Sequence, residues 1–206
     1  MSDIKRNYQK ELDSIIDSLE REGRRPSLLL HACCAPCSSY ALEYLTKYFD
    51  ITLFYYNPNI SPKEEFDYRV RELEKLLTEM PLSSPVKLVV PEYNENEFEE
   101  KIKGLENEPE RGKRCTVCYH LRLEKSAIYA KEHAFDYFTT TLSISPYKDA
   151  DRLVSLGEAL AAKYGIPYLV SDFKKKNGYK RSIELSQEYS LYRQNYCGCK
   201  YSADKK

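Results

Sequence analysis

The sequence predicts an α/β protein in which a parallel sheet is flanked by helices on both faces. Short apolar runs alternate with longer segments of helical periodicity along the 206 residues, and this alternation is typical of parallel sheets covered on each side. The first run, residues 27–32, reads Ser-Leu-Leu-Leu-His-Ala, as expected for a strand buried on both faces. The length suits one domain with a real core, so we expect residues 1–206 to form a single domain.

The predicted elements follow one another in a regular order. A helix over residues 3–22, closed by Gly23, precedes the first strand. Ser61-Pro62-Lys63-Glu64 predicts a capping box with proline at the first helical position. The later predicted helices are residues 40–48, 62–77, 94–103, 115–133, 149–164 and 182–194, and the later predicted strands are residues 51–56, 86–90, 135–141 and 167–170.

Composition is that of an ordinary globular protein, with 42% hydrophobic and 31% charged residues. No apolar run approaches the roughly 20 residues that cross a bilayer, and the N-terminal stretch has no apolar signal core. We therefore expect a cytoplasmic protein with no membrane contact. Thiols stay reduced in that compartment, so a disulfide scaffold is not expected.

The cysteines carry the strongest chemical signal in the chain. All seven fall into three close groups, which are Cys33, Cys34 and Cys37, then Cys115 and Cys118, then Cys197 and Cys199. Such spacings bring sulfurs within reach of one ion or cluster. A [4Fe-4S] cluster would take four thiolates, a zinc site could use the two CxxC pairs, and one CxxC pair could instead be a redox couple. Spacing alone leaves these three alternatives open.

The predicted fold indicates where this chemistry lies. In open parallel sheets, ligands bind beyond the carboxyl ends of the strands, near the point where strand order reverses. Cys33 and Cys34 follow the first strand, and Cys37 begins the next helix, whose N-terminus favours a thiolate. The polar residues expected at the same edge are Asn57, Thr139–Thr141 and Asp172.

Two negative observations narrow the range of chemistry and of ligands at this site. The segment after the first strand has no glycine-rich sequence that would cradle a pyrophosphate, which argues against ATP chemistry there. His31 is the histidine nearest to the cysteines in the sequence, and a histidine at a strand end is more often a hydrogen-bonded structural residue than a ligand.

The C-terminal part of the chain is basic and rich in tyrosine. Residues 174–206 carry nine Lys and Arg against three acids, together with five tyrosines. Cations beside aromatic rings suit the phosphates and unstacked bases of single-stranded RNA. A solvated basic helix with its tyrosines in the core would give the same composition.

The motifs together resemble a known family. They are Leu28-Leu-Leu-His-Ala-Cys-Cys-Ala-Pro-Cys-Ser-Ser39, Phe54-Tyr-Tyr-Asn-Pro-Asn-Ile60, Cys115-Thr-Val-Cys-Tyr119, Phe138-Thr-Thr-Thr-Leu142 continuing to Ser145-Pro146, Asp172-Phe-Lys-Lys175, and Tyr192-Arg-Gln-Asn-Tyr-Cys-Gly-Cys199. This set resembles the cobalamin-independent epoxyqueuosine reductases, the QueH family. The resemblance spans residues 27–201.

The resemblance implies a HUP-like (adenine nucleotide alpha hydrolase-like) fold and an oxidoreductase of tRNA queuosine biosynthesis. The substrate would be epoxyqueuosine at the wobble position of the anticodon loop of tRNA. The reaction removes the epoxide oxygen, consumes two electrons and two protons, and releases water. It also implies a [4Fe-4S] cluster, an additional mononuclear iron and an external electron donor. An iron acting as a Lewis acid would polarise the C–O bond.

From the sequence alone, the roles of single residues are hypotheses. We predict Cys33, Cys34, Cys115 and Cys118 as cluster ligands. This leaves Cys37, Cys197 and Cys199, with Asp172 as an oxygen ligand, for a second iron or a redox step. For Asp172, a turn or cap acid is the alternative. The predicted tRNA-binding residues are Lys174, Lys175, Lys180, Arg181, Tyr192 and Arg193.

Two other functions remain open from the sequence. A zinc-stabilised nucleic-acid-binding module would use the same cysteines without catalysis. A cluster-dependent tRNA thiolase would share the layout, but the missing glycine-rich loop disfavours it.

Overall fold

The computed structural model describes residues 6–203, which contain one four-stranded parallel sheet with the strand order β3-β2-β1-β4. The strands are β1 (Ser27–His31), β2 (Asp50–Phe54), β3 (Lys87–Val89) and β4 (Tyr137–Thr140). In the middle of the sheet, Leu30 of β1 lies opposite Leu53 of β2 and Thr139 of β4. Strand order reverses at β1, because β2 and β3 lie on one side of it and β4 on the other. Ligand chemistry is therefore expected beyond the end of β1.

Helices cover both faces of the sheet. They are α1 (Tyr8–Glu22), α2 (Ala35–Leu45), α3 (Lys63–Glu79), α4 (Glu95–Lys101), α5 (Lys113–Glu132), α6 (Ala150–Tyr164), α7 (Gly178–Glu188) and α8 (Lys200–Ala203), with a 3-10 turn at Thr141–Ile144. Among residues 6–203, no helix is long and apolar enough to span a membrane.

The side chains of β1 build two cores. Leu28 and Leu30 pack on one face against α1, α2 and α3, whereas Leu29 packs on the other face against α5 and α6. All three leucines are fully buried. Successive side chains of a strand point to opposite faces, so a continuous apolar run requires cover on both sides. The predicted fold class is confirmed.

Local signals set the helix boundaries at several places. The Asn7 side chain accepts a hydrogen bond from the Lys10 amide at the start of α1, and Gly23 ends that helix in the left-handed region. Asp149 and Gly165 do the same for α6. The prediction of this helix over residues 3–22 was wrong at Arg6 and Asn7, which are not helical, because Asn7 caps the helix and does not lie inside it. Residues 3–5 lie outside the described residues.

One predicted helix start and one predicted helix cap were wrong. The second helix begins at Ala35 rather than at residue 40, because Pro36 suits a first helical turn. No capping box forms before α3, whose N-terminus has no side-chain cap. Ser61 instead donates its backbone N–H to the carbonyl of Gly198, at 2.9 Å, which ties this turn to the C-terminal tail.

Two further predictions need correction. Residues 167–170 do not form a strand, since only a single bridge joins Tyr168 to Phe138. The last long helix, α7, ends at Glu188 instead of residue 194. Tyr192 and Arg193 therefore lie in the loop that precedes the last cysteines.

Candidate metal centre and adjoining cleft

Cys33, Cys34 and Cys37, the first cysteine group, lie at the carboxyl end of β1. Their three sulfurs are all within 4.8 Å of one another, and the Sγ atoms of Cys33 and Cys34 are 3.8 Å apart. Cys34 is the N-cap of α2 and Cys37 is in its first turn. The free N–H groups and dipole at a helix N-terminus stabilise negative charge, so the group is placed where thiolates are favoured.

Cys115, Cys118, Cys197 and Cys199 form the second cysteine group. Together with Cys33 they line one small cavity of about 40 Å³, the thiol pocket. Cys115 and Cys118 are three residues apart near the start of α5 and so share a face of the helix. Cys118 and Cys199 are buried in the same apolar cluster. The three cysteine segments of the sequence therefore meet at one place in the folded chain.

Gly198 allows the tail to approach α3 closely. Its φ is 94°, and a Cβ at this position would lie 2.9 Å from Cγ1 of Ile60 and 3.1 Å from Nη1 of Arg69. Arg69 is 1% exposed, donates to the carbonyl of Cys197 at 3.4 Å and lies 5.5 Å from the ring centre of Tyr196. Only glycine fits this backbone and this space, so the contact fixes the positions of the flanking cysteines.

Arg114 fixes the start of α5, as Arg69 fixes the tail. It is 2% exposed, and its Nη1 donates to the backbone carbonyls of Leu105, Glu106 and Glu108. Its guanidinium lies 5.0 Å from the ring centre of Tyr201. One buried arginine thus joins the loop before α5, α5 itself and the C-terminal segment around the thiol pocket.

Two cations stand beside the thiols. Arg122 is buried, and its guanidinium donates to the carbonyl of Cys118 at 3.2 Å and to Oδ1 of Asn57 at 3.3 Å. Lys148 is half-buried and lines both the thiol pocket and the larger cavity next to it. Burial acts against its charge, yet the thiols of Cys33, Cys37 and Cys197 raise the pKa of Lys148 above its usual value.

Within each cysteine group, the thiols differ in pKa. Hydrogen bonds from the Cys34 and Cys37 thiols, helped by the charges of Lys148 and Arg122, hold the pKa of Cys33 well below its ordinary value. The Cys199 thiol does the same for the pKa of Cys197. Burial raises the pKa of Cys118 to about 11. Each group therefore contains one thiol whose pKa is lowered, and Lys148 contributes to the lowering in both.

The thiol pocket has the properties of a metal site. Oδ1 of Asn59 and Nε of Arg114 are buried without a hydrogen-bond partner, and both residues line this cavity. Buried polar atoms are rarely left unpaired in proteins, so these two atoms point to a group that completes the site. Thiolates select iron–sulfur clusters and zinc, and a [4Fe-4S] cluster takes four of them. The residues present fit such a group.

A larger cleft of about 560 Å³ opens beside the thiol pocket. Cys33, Cys37 and Cys197 line it. Its walls bear three cationic residues and one acid, which are Arg111, Lys148, Arg193 and Glu110. Oε1 of Gln194, also on the wall, is buried without a partner. The cleft is therefore polar, net positive and open to a ligand that reaches the first cysteine group.

Asp172 lies away from these cavities. Its carboxylate is 3.1 Å from Nζ of Lys174 and accepts from the Lys174 amide at 3.3 Å. It lines a separate cavity together with Lys174 and Lys175. This is the geometry of the turn acid that the sequence offered as the alternative, and a role as oxygen ligand stays a prediction.

Among the six predicted tRNA-binding residues, Arg193 lines the cleft. Its Nη1 donates to the carbonyl of Ser182 at 3.2 Å and to Oγ of Ser186 at 3.0 Å. These bonds anchor the guanidinium on α7 at the cleft wall.

The other predicted tRNA residues do not line the cleft. Arg181 is bonded to Glu43 through two nitrogens, and the ring of Tyr192 packs 4.7 Å from that of Tyr68. Lys180 is exposed on α7 and Lys175 is exposed in the preceding turn. Contact of these residues with tRNA stays a prediction.

His31 is a structural residue, as the sequence favoured. It is fully buried, and because the Tyr56 carbonyl can only accept, Nε2 donates to it, at 3.1 Å. Nδ1 is 2.8 Å from Oγ1 of Thr140, and burial lowers the pKa of His31 to about 3. Asn57 is also used internally, since it joins the Ala32 carbonyl to Arg122.

Several residues of the site were not identified from the sequence. They are Asn59, Arg69, Arg114, Arg122, Tyr147 and Lys148. Of these, Arg69 carried a usable signal, because it falls in the buried stripe of α3 between Phe66 and Leu73. The others sit on half-polar helix faces or in loops, where periodicity does not distinguish a buried cation from a solvated one.

Fold and site together define an α/β protein with a thiol-rich centre at the switch point of a parallel sheet. A family model described as epoxyqueuosine reductase QueH matches residues 28–205. Among curated relatives with that name, the Staphylococcus epidermidis protein is 46% identical over 100% of this chain and 88% of its own length. The Streptococcus pyogenes protein is 44% identical over 96% of this chain and 78% of its own length. The Thermotoga maritima protein is 33% identical over 85% of this chain and 90% of its own length. The chain belongs to the epoxyqueuosine reductase QueH family.

Proposed function

We propose that this protein is an epoxyqueuosine reductase that converts epoxyqueuosine to queuosine in tRNA. The observation that carries the proposal is the meeting of all three cysteine segments around the thiol pocket, next to a cationic cleft, in a chain of this family. Because the substrate is tRNA, we place the activity in the cytoplasm and assign it to the whole chain.

The reaction sets the requirements on the site. Both C–O bonds of the epoxide break, a C=C bond forms, and the oxygen leaves as water after taking up two protons. Two electrons enter from an external reductant, which we take to be a one-electron donor protein or, in the test tube, dithionite.

The cleft has the size and the side chains to bind the substrate nucleoside. The cleft is wide enough, at about 560 Å³, for a nucleoside that has left the base stack. Arg111 and Arg193 on its walls are suited to bind the RNA phosphates on either side of that nucleoside. The unpaired Oε1 of Gln194 can accept a hydrogen bond from the base or from a hydroxyl group of the ring. The ring of epoxyqueuosine that carries the epoxide would then lie against the first cysteine group.

We propose further that the seven thiols hold an iron–sulfur centre and a second iron. A bound cluster would supply electrons singly, and a second iron would act as a Lewis acid on the epoxide oxygen. Arg122 and Lys148 compensate the charge of the thiolates, which lowers the cost of burying several of them together.

The division of the ligands is a separate question with two answers to test. The sequence predicts Cys33, Cys34, Cys115 and Cys118 for the cluster. The geometry favours the second cysteine group for the cluster, since its four thiols line one cavity, and the first group for a second iron. Cys34→Ala and Cys199→Ala separate the answers. Under the first division Cys34→Ala removes the visible cluster absorption, and under the second Cys199→Ala does.

The function is tested by anaerobic purification, metal analysis and a reduction assay. We expect a coloured protein that holds iron and that, with dithionite, converts epoxyqueuosine in tRNA to a nucleoside with one oxygen less by mass spectrometry. A colourless protein that holds only zinc and leaves the nucleoside unchanged would support the nucleic-acid-binding alternative instead.

The thiolase alternative is tested in the same assay. A thiolase requires ATP, whereas α2 begins at Ala35 directly after Cys34 and leaves no glycine-rich loop for a pyrophosphate. We expect the rate to be the same with and without ATP. An absolute ATP requirement would contradict the proposed function.

A further inference from the structure

Tyr147 is exposed at the mouth of the cleft. It is 63% exposed, the most exposed of the large hydrophobic residues in the described part of the chain. It lies in the loop between the 3-10 turn and α6 and lines both the thiol pocket and the cleft. A single exposed aromatic residue is ordinary on a protein surface, so its position beside the cysteines is what calls for an explanation.

The ring is paired with a cation. The guanidinium carbon of Arg111 lies 5.4 Å from the ring centre of Tyr147. The backbone of Arg111 is fixed at both ends, since its N–H donates to Sγ of Cys115 at 3.2 Å and its carbonyl accepts from Arg152 at 2.9 Å. The amide of Tyr147 donates to Oγ of Ser145 at 3.3 Å. Both partners are therefore held close to the metal centre before a ligand arrives.

We propose that Tyr147 and Arg111 form a stacking platform for a nucleobase next to the target nucleoside. This inference rests on the proposed function, because it concerns how the same cleft receives its RNA. When one nucleotide of a loop turns into a cleft, its neighbours lose their stacking partner. Aromatic rings and guanidinium planes replace that partner in single-stranded RNA complexes.

The chemistry of the surroundings favours RNA over another planar ligand. Arg193 and Lys148 line the same cleft as Arg111, so phosphates on either side of a stacked base meet positive charge. The exposed ring keeps most of its surface available, whereas Tyr192, the aromatic residue chosen from the sequence, packs against Tyr68. The platform therefore lies on the cleft side of the molecule and not on the α3 side.

The test uses an anticodon stem-loop RNA with 2-aminopurine beside the wobble position, whose fluorescence is quenched by stacking. We expect quenching with the wild-type holoprotein and with Tyr147→Phe. Tyr147→Ala should lose the quenching and bind about 5- to 150-fold more weakly. Equal quenching and affinity for Tyr147→Ala and the wild type would overturn the inference.

A matched control is available on α3, outside the cleft. Tyr68 is 38% exposed and lies 5.7 Å from the guanidinium carbon of Arg71, but it does not line the cleft. Tyr68→Ala should bind RNA like the wild type. A loss confined to Tyr68→Ala would place the RNA on the α3 side and would also overturn the inference.

The reduction assay separates this inference from the function itself. Failure of the wild-type protein to reduce epoxyqueuosine in tRNA would refute the proposed function. An active wild type with an unchanged KM for tRNA in Tyr147→Ala would refute the platform alone. Iron content and melting temperature equal to those of the wild type show that the variant is intact, so a raised KM then supports stacking.

Discussion

The first cysteine group stands on the central strand of the sheet, whereas the second is assembled from segments that are far apart in the chain. Cys33, Cys34 and Cys37 follow β1, which is hydrogen-bonded to a strand on each side, and they continue into the first turn of α2. The second group combines the start of α5 with the C-terminal tail. Buried Arg114 contacts the tail from α5, and buried Arg69 bonds to it from α3.

This difference indicates how each group responds to change. Sheet ladders and a helix start position the first group whether or not metal is bound. The second group depends on a few contacts of Arg69, Arg114 and Gly198, and on whatever satisfies the unpaired atoms of the thiol pocket. Local unfolding is easier in regions with few such contacts. Damage to the tail should therefore disorder the second group and leave the first intact.

The largest effect is expected for Arg69→Met. The side chains of Arg69 and Glu65 form a 2.8 Å ion pair and are 1% and 14% exposed. Removing one partner of a buried pair costs about 3 kcal/mol, and the tail also loses its bond at the Cys197 carbonyl. We therefore expect the free energy of unfolding of the metal-free protein, measured in urea, to fall by about 3 kcal/mol. Thiol labelling should become faster, relative to the wild type, at Cys197 and Cys199 more than at Cys33.

Arg71→Met is the matched control on the same helix. Arg71 is exposed and should change the unfolding free energy by less than about 0.5 kcal/mol. Equal labelling rates for all cysteines in Arg69→Met would show that the arginine stabilises the whole fold and not the tail, and would contradict the comparison.

Gly198→Ala should have the second-largest effect. An alanine here carries the strain of φ at 94° and also brings Cβ to 2.9 Å from Ile60 and 3.1 Å from Arg69. Gly104 has a φ of 83° but open space around its Cβ position, so Gly104→Ala carries the strain alone, about 1 kcal/mol. We expect Gly198→Ala to cost about 2 kcal/mol in urea unfolding and to retain less iron. Equal losses in the two variants would show that the close approach is unimportant.

Asn59→Leu should separate stability from metal binding. The variant removes a buried oxygen without a partner, so unfolding of the metal-free protein should require the same free energy or slightly more. Iron should be held about 10-fold more weakly, as is usual when a group that supports a metal site is lost. Titration of iron into the two proteins measures this. Unchanged affinity would mean that Asn59 does not face the bound group.

The first group shows how far sequence reasoning extends. The apolar run of β1 predicts a strand buried on both faces, and the order of elements predicts a parallel sheet, so the place of Cys33 and Cys34 follows from residues that are close in sequence. Likewise Gly23, Asp149 and Gly165 mark helix ends through their own side chains or backbone. Such signals are local and can be recognised in the sequence.

The second group shows where that reasoning stops. Whether Cys197 and Cys199 reach α5 depends on how the tail crosses α3, and no local pattern encodes that path. Tyr192 and Arg193 were expected in a helix, but α7 ends at Glu188 and the tail turns back toward Arg69. The fifth predicted strand reduces to one bridge for a similar reason, since an apolar segment is compatible with either an edge strand or a packed loop.

The smallest effect is expected at the beginning of β1, the strand that carries the first group. Oδ2 of Asp136 accepts from the Ser27 amide and hydroxyl, both at 2.8 Å, and these bonds hold the pKa of Asp136 below its ordinary value. A carboxyl group with a lowered folded-state pKa stabilises the fold above the unfolded-state pKa, near 3.9, and loses this contribution as the pH falls through the folded-state value.

Asp136→Asn should therefore cost less than about 1 kcal/mol at pH 7, because the group is exposed to solvent, and the difference from the wild type should shrink in urea unfolding below about pH 4. Asp50→Asn, which removes an exposed partner of Arg25 at the start of β2, serves as the control with a smaller effect. Iron content should be unchanged in both, since the ladders of β1 keep Cys33 and Cys34 in place. Loss of iron in Asp136→Asn would mean that the first group depends on distant contacts as much as the second does.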